Sequence, residues 1–479
     1  MHVGVLVKNQ ACELGKAESR RLDALMAAVL KDVKPSQSEI DGVTRIANQI
    51  MGRLKESAPR DVEILLAGST ARGTQISGNS DIDIFLLFPK SARKEELETK
   101  GLRIARGIIN RKKNERCEIK YAEHPYAKLF LEDVGITVDV VPAYKISSAD
   151  ERATAVDRTQ LHNEFVNSNL TQRQRDCVRL LKAFFDAHGV YGAEAMTEGF
   201  SGYLCELLIY HYGSFLQAVT AFANIKMPMV IEARKRSELS GAPADALVKK
   251  FKSAFIVIDP TDSNRNVAAN VSMESLARSA LASRALLKNP SKGTFYRSGY
   301  SDVGANARLS ALRKALGASM YSVYFAVPDI AEDIIWQQLK KLSSRLGGEL
   351  SSNGFEAMLC LQSLHKRDAL ISFLVRDGAI KAGTVRGPSA FMADAASRFV
   401  AAHGKAHLIS LDGERLYAID SSKYAAPESL LRAFLAGRGA ELPSYLEKKS
   451  MRIYVNKMPE SLAKLAYQAY NGRKIGYRP

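Results

Sequence analysis

No stretch of this chain approaches the roughly 20 uninterrupted apolar residues that cross a bilayer as a helix. Even the apolar run Ile82–Phe88 is bounded by Asp81 and Lys90, which excludes a membrane-spanning chain. The five cysteines, Cys12, Cys117, Cys177, Cys205 and Cys360, are odd in number and far apart. They form no C-x-x-C pair and have no histidine at metal-ligand spacing, which excludes disulfide and zinc scaffolds. Internal repeats and low-complexity tracts are absent, and so is the G-x-x-x-x-G-K-[ST] phosphate loop. Met1–Lys16 lacks a long apolar segment behind a basic region and lacks a small-residue cleavage site, which predicts a cytoplasmic chain without a secretory signal. Acidic residues are also in short supply. The 479 residues carry 51 Asp and Glu against 68 Lys and Arg, a net charge of +17. Such an excess fits a polyanionic partner. The cations spread along the chain as a long footprint requires, at Arg103–Lys120, Arg234–Arg236, Lys249–Lys252 and Lys448–Arg452.

What is present is ordinary globular composition, 46% apolar and 25% charged, with length for about three domains. Leu22, Leu25, Met26, Val29, Leu30 and Val33 recur at helical spacing and Pro35 ends the run. A second helix is predicted from Ser38, with Ile40, Val43, Ile46, Ala47, Ile50 and Leu54 on its buried face. The period then changes to that of strands at Val62–Leu66 and Asp81–Phe88, separated by a Gly-, Ser- and Thr-rich stretch, Ala67–Asn79. A basic helix over Glu95–Asn110 and strands at Glu118–Ala122, Lys128–Leu131 and Ile136–Val141 follow, with Pro142 as a stop. From Asp157 to Leu287 the pattern is mostly helical. Asn289–Asn306 reads as a connection, after which strands (Tyr321–Val327, Met358–Leu361, Ala369–Val375) alternate with helices (Ile330–Leu346, Ala390–Ala401). The expected architecture is a three-part α+β protein.

The sharpest chemical feature is Gly68-Ser69, then Asp81-Ile82-Asp83, then Asp139 within Val138-Asp139-Val140-Val141-Pro142. Residues two apart on a strand share a face, so Asp81 and Asp83 sit side by side while Ile82, Ile84 and Leu86 face a core. Like charges this close resist joint ionisation unless a cation lies between them, and Asp139 poses the same problem in another apolar strand. Carboxylate oxygens suit Mg²⁺, which commonly takes protein carboxylates together with substrate phosphates. Taken alone, Asp-Ile-Asp also reads as an exposed polar edge. The upstream Gly68-Ser69-Thr70-Ala71-Arg72-Gly73-Thr74 adds a small-residue turn whose amides and hydroxyls can hold a triphosphate, with Arg72 to grip its oxygens.

This combination resembles the polymerase β-like nucleotidyltransferase superfamily. Further motifs are similar to those of the archaeal (class I) tRNA CCA-adding enzymes: Tyr121–Tyr126, Ala155–Thr159, Tyr191–Glu194, Gly199–Leu208 and Arg265–Asn270. The similarity is strong from Leu22 to Leu287 and rests on pattern and length beyond. It implies a nucleotidyltransferase head over residues 17–150 after an N-terminal extension (1–16), a helical neck over 151–288, and an α/β body and tail over 289–479 that grips the acceptor and TΨC arms of tRNA. It also implies template-independent addition of C, C and A to the tRNA 3′ end from CTP and ATP. Two Mg²⁺ ions would be held by Asp81, Asp83 and Asp139, and the triphosphate by Ser69, Arg72, His162, Lys182 and Tyr191. Arg265 would help read the incoming base. Without the resemblance, Lys182 reads as a surface lysine, His162 as a satisfied helix histidine, and Arg265 as a cap or surface ion pair. Tyr203 reads either as a stacking platform for a base or as core. Arg386, Lys448, Lys449 and Arg452 are RNA-contact candidates by charge. A homodimer is compatible with these expectations. Two rivals share the acidic head, a poly(A) polymerase and a non-catalytic RNA-binding protein.

Overall fold

The computed structural model describes residues 16–78, 81–121, 125–235, 237–297, 299, 303–378, 382–421, 424–437, 443–446 and 448–474. Residues 1–15 of the expected N-terminal extension, Ala122, Glu123 and His124 of one motif, and the cation Arg236 lie outside the described residues. Two compact units divide the chain, the first running to residue 298 and the second covering Gly299–Lys474. No helix of the described residues is long and apolar enough to cross a membrane.

The first unit opens with α1 (Lys16–Val33) and α2 (Gln37–Ser57). The Ser36 hydroxyl caps α2 by accepting from the Glu39 N–H at 3.2 Å, and Val43, Ala47, Ile50 and Leu54 form its buried face. A five-stranded sheet follows, in the order β1-β2-β5-β4-β3. Its strands are β1 (Glu63–Ala67), β2 (Asp81–Phe88), β3 (Glu115–Tyr121), β4 (Pro125–Leu131) and β5 (Ile136–Tyr144). The short α3 (Gly68–Arg72) interrupts the stretch predicted to be irregular, and α4 (Lys94–Gly107) crosses between β2 and β3. Ile82, Ile84, Leu86 and Phe88 share one core with Val138, Val140, Leu129 and α2. The opposite face of β2 places Phe85 and Leu87 against Ala67 and Ala143, and above them Asp83 and Asp81. Pro142 does not stop β5. The pairing with β4 ends at Val140, while β2 pairs alongside to Tyr144, so the proline's missing N–H falls where β5 has only one neighbour.

The middle section holds α5 (Thr159–Asn169), α6 (Gln172–Ala187), α7 (Gly202–Tyr212), α8 (Phe215–Ala223), α9 (Ala242–Phe251) and α10 (Met273–Lys288). It is mostly helical, as the periodicity suggested, but it also holds strands that the periodicity did not mark. A second sheet, ordered β7-β6-β8-β9, runs through it, built from β6 (Met229–Glu232), β7 (Ser237–Leu239), β8 (Phe255–Asp259) and β9 (Asp262–Asn266). The reason is local: Phe-Ile-Val-Ile-Asp is buried along its whole length, and so short an apolar run has no alternation to distinguish a strand from a buried helix. An aromatic core of Phe184, Phe185, Phe200, Phe215, Phe222 and Phe255 organises this section, and Val29 and Val33 of α1 belong to it. Phe295 is also part of that core, so the segment after Leu287 remains in the first unit and the boundary falls ten residues later than the sequence suggested.

The second unit contains α11 (Ala305–Leu316), β10 (Ala318–Ala326), α12 (Glu332–Ser352), β11 (Ala357–His365) and β12 (Asp368–Arg376). It continues with β13 (Ala382–Ser389), α13 (Ala393–Ala402), β14 (Leu408–Asp412), β15 (Arg415–Ser421), α14 (Pro427–Ala436), β16 (Arg452–Val455) and α15 (Glu460–Arg473). Two antiparallel sheets result, β11-β12-β10-β16 and β13-β15-β14. The alternation of strands and helices is the one expected.

Candidate active site

Register places the carboxylates. Parallel pairing of β2 with β5 sets Asp83 opposite Asp139 and Asp81 opposite Thr137. The Thr137 hydroxyl donates to Asp81 Oδ1. On the far side of β5, Lys128 of β4 stands opposite Asp139, its Nζ 3.5 Å from Asp139 Oδ1. That Oδ1 atom is buried and has no hydrogen-bond partner among the described residues. Burial pushes the Asp139 carboxyl up to about 6, with Asp83 and Asp81 adding to the shift and Lys128 opposing it. Burial raises Asp83 as well. Gly68, with φ of 71°, lies over this pair so closely that a Cβ on it would stand 1.8 Å from Asp83 Oδ2. Only glycine satisfies both the left-handed backbone and that approach.

Among the described residues no three Asp, Glu, His or Cys side chains converge as a ready-made metal site. The donor set nonetheless fits a hard divalent cation. It is all oxygen, two carboxylates face each other across adjacent strands, and one of their buried oxygens makes no hydrogen bond, with the Lys128 ammonium 3.5 Å away.

Ser69 lies half-buried on α3, next to this pair. Arg72, at the end of α3, is buried rather than free. Its Nε donates to Glu206 Oε1 at 3.0 Å and its Nη1 to Asn163 Oδ1 at 2.9 Å. Lys182 of α6 is not a surface lysine: it is 2% exposed, and its Nζ donates to the Thr74 carbonyl at 3.0 Å and to the Thr74 hydroxyl at 3.3 Å. Tyr191 is half-buried beside it, and burial holds its phenol well above the usual range.

A second cluster gathers at Asp259, the last residue of β8, which is 1% exposed. His162 Nε2 lies 3.0 Å from Asp259 Oδ2, and Arg265 Nη1 donates to the same oxygen at 2.9 Å. Oδ1 accepts from the Tyr203 hydroxyl at 3.2 Å and from the Thr261 N–H and hydroxyl at 2.9 and 2.8 Å. Tyr203 stacks on His162 with ring centroids 3.9 Å apart, so its core role prevails over an open stacking platform. Burial alone would push Asp259 up, but the His162 and Thr261 hydrogen bonds hold it well below the usual carboxylate range. Burial lowers His162 against the pull of Asp259. Arg265 therefore makes an ion pair with a buried aspartate from strand β9, neither a cap nor a surface bridge.

The residues singled out in the sequence thus fall into three neighbouring groups of the first unit: the carboxylates, the Arg72–Lys182–Tyr191 group and the His162–Arg265 group. The acids that organise the last two are Glu206, which the sequence marked only as part of a motif, and Asp259, which it offered only as a surface ion-pair partner for Arg265; their burial was missed. The available signal was a charged residue inside an otherwise apolar run, Leu204-Cys205-Glu206-Leu207-Leu208 and Phe255-Ile256-Val257-Ile258-Asp259.

Three family models match the chain: a nucleotidyltransferase domain over residues 47–162, the second domain of tRNA nucleotidyltransferase over 176–296, and the C-terminal domain of CCA-adding enzyme over 316–453. The chain is 33% identical over 444 residues to the CCA-adding enzyme of Methanocaldococcus jannaschii, covering 90% of this chain and 95% of that one. It is 32% identical to the CCA-adding enzyme of Archaeoglobus fulgidus, covering 86% and 90%. Among solved structures it is similar to a cytoplasmic RNA terminal U-transferase, with a TM-score of 0.46 and 14% identity over 59% of this chain and all of that one. With a third of positions identical across nearly the full length of both sequences, the chain belongs to the CCA-adding enzyme family.

Proposed function

We propose that the three groups are, in order, the metal-binding, triphosphate-binding and base-reading parts of one nucleotidyltransferase site. The reaction is addition of CCA to tRNA, in which the RNA 3′-hydroxyl oxygen bonds to the α-phosphorus of CTP or ATP and pyrophosphate departs. Asp81, Asp83 and Asp139 would hold two Mg²⁺ ions, which would supply activation of the hydroxyl and charge compensation for the leaving pyrophosphate. Ser69, Arg72, Lys182, Tyr191 and His162 bind the triphosphate through hydroxyls and cations matched to its oxygens. Arg265, fixed by Asp259, presents the rest of its guanidinium to the base. The region after residue 298 grips the acceptor and TΨC arms through shape and phosphate contacts, with Arg386, Lys449 and Arg452 as candidate cations. The setting is the cytoplasm.

The observation that carries this reading is the in-register pair Asp83 and Asp139, with a buried oxygen that makes no hydrogen bond among the described residues and has only the Lys128 ammonium, 3.5 Å away, to offset its charge. Equilibrium binding of Mn²⁺, followed by its spin resonance, is expected to weaken at least about tenfold in Asp139→Asn. Unchanged binding removes the metal assignment. In parallel, tRNA ending at the discriminator base takes label from CTP alone, and from ATP only after both cytidines are in place. A long run of A from ATP alone returns the poly(A) polymerase reading.

A further inference from the structure

Glu206 of α7 is 0% exposed, and two of the cations assigned to the triphosphate are buried around it. Arg72 Nε donates to its Oε1 at 3.0 Å, and Oε2 lies 2.9 Å from the same nitrogen. The Thr74 hydroxyl also donates to Oε1, and the Lys182 ammonium is bonded in turn to Thr74. Oε2 has no hydrogen bond of its own among the described residues, so its charge is balanced by the neighbouring cations and not by a donor. One turn earlier on α7, Gly202 leaves a gap: a Cβ there would stand 3.3 Å from the Tyr191 hydroxyl oxygen and 3.5 Å from Lys182 Nζ. The polar ends of Lys182 and Tyr191 therefore converge over the first residue of α7, where helix N–H groups favour an anion.

We propose that Glu206 is a positioning residue for nucleotide binding: from behind the site it supplies the countercharge of Lys182 and Arg72, holding Arg72 directly and Lys182 through Thr74 in the turn after α3. This rests on the assignment of Arg72 and Lys182 to the triphosphate. Glu206 touches no nucleotide itself. A lone ammonium as deeply buried as Lys182 loses its proton readily, and burial indeed lowers this lysine, with Glu206 the first of the groups that pull it back up. The other groups facing it are Cys205 on α7, whose thiol burial pushes up to about 12, Arg72, Arg179 on its own helix, and the Tyr191 phenol. Of these Glu206 is the carboxylate.

The test compares Glu206→Gln, Glu206→Asp and Lys182→Met in the full chain. It reads CTP KM and kcat and the binding of a non-hydrolysable CTP analogue between pH 7 and 9, with melting temperature and tRNA affinity alongside. Glu206→Gln is expected to raise KM and the analogue Kd at least about tenfold while kcat changes less than about threefold. The loss deepens as pH rises, because an ammonium without its countercharge deprotonates at lower pH. Glu206→Asp, which keeps the charge at shorter reach, binds more weakly but with the wild-type pH profile. Wild-type affinity in Glu206→Gln, or an equal loss at pH 7 and pH 9, overturns the proposal. If Glu206→Gln does not fold, Glu206→Asp decides alone: unchanged affinity or a shifted pH profile overturns it. Lys182→Met separates the two readings. If it leaves CTP binding intact, the triphosphate assignment fails; if it weakens binding while Glu206→Gln does not, only the positioning role fails.

Discussion

Asp139 and Asp259 are both aspartates on buried strands of the first unit, and their surroundings are opposite. Asp259 accepts from Arg265, Tyr203 and Thr261 and pairs with His162, so the protein has already satisfied its charge and holds it ionised. Asp139 faces another carboxylate, keeps a buried oxygen without a hydrogen bond, has one ammonium, Lys128, at 3.5 Å, and is still pushed up to about 6 by burial. One aspartate is a finished internal bond that aims other side chains. The other is left incomplete, which is the state of a carboxylate waiting for a ligand from outside. Burial of the residue type says little; the count of donors around it separates scaffold from reaction centre.

The largest effects should split along that line. Asp83→Ala and Asp139→Ala are expected to lower nucleotide addition by at least about a thousandfold, while the melting temperature holds or rises because like-charge repulsion is relieved. Asp259→Ala should do the reverse in stability. It strands Arg265, His162 and the Tyr203 hydroxyl in partly or fully buried positions, at a cost of about 3 kcal/mol by urea unfolding. If Asp139→Ala unfolds the protein and Asp259→Ala does not, the division between the two acids is mistaken.

The acidic head was legible in the sequence because alternation in Asp81–Leu86 fixes which residues share a face, and because aspartate in an apolar strand needs a reason. The pairing of Asp83 with Asp139 was not legible, since parallel register is set by a crossover through α4 and two further strands. The sheet of the middle section was hidden by the shortness of β6 and β8, and the burial of Lys182 by the fact that its countercharge, Glu206, lies on a different helix. One motif residue that carried the family resemblance is structural. Asp157 is fully buried and accepts N–H bonds from Tyr144 at 2.9 Å, Ala153 at 2.9 Å and Thr154 at 2.7 Å, joining the end of β5 to the start of the middle section. Resemblance could mark it but could not tell a hinge of backbone bonds from a ligand.

Acid sharpens the same comparison at moderate size. Asp259 has a folded-state pKa below its unfolded value near 3.9. Its contribution is therefore fully present above that unfolded value and is lost as pH falls through the folded pKa. Urea unfolding of the wild type should weaken progressively below about pH 4, and Asp259→Asn, already weaker at neutral pH, should show a shallower acid slope. Equal slopes in the two proteins would mean that Asp259 gains nothing from its partners.

The smallest expected effect is that of a single hydroxyl. Tyr203→Phe removes the 3.2 Å bond to Asp259 Oδ1 but keeps the ring stacked on His162. Oδ1 still accepts from the Thr261 N–H and hydroxyl, and Oδ2 keeps Arg265 and His162, so no charge is stranded. A bond of this length to an ionised carboxylate with other donors contributes about 1.5 kcal/mol. Urea unfolding should register that loss, while the rate of cytidine addition stays within about twofold of wild type because the carboxylate still holds Arg265 in place. A loss of more than about 3 kcal/mol would show that the Asp259 cluster is a cooperative network whose members cannot be removed singly. A rate falling without loss of stability would place the Tyr203 hydroxyl in the reaction itself, and the contrast between a finished and an unfinished aspartate would no longer mark the edge of the site.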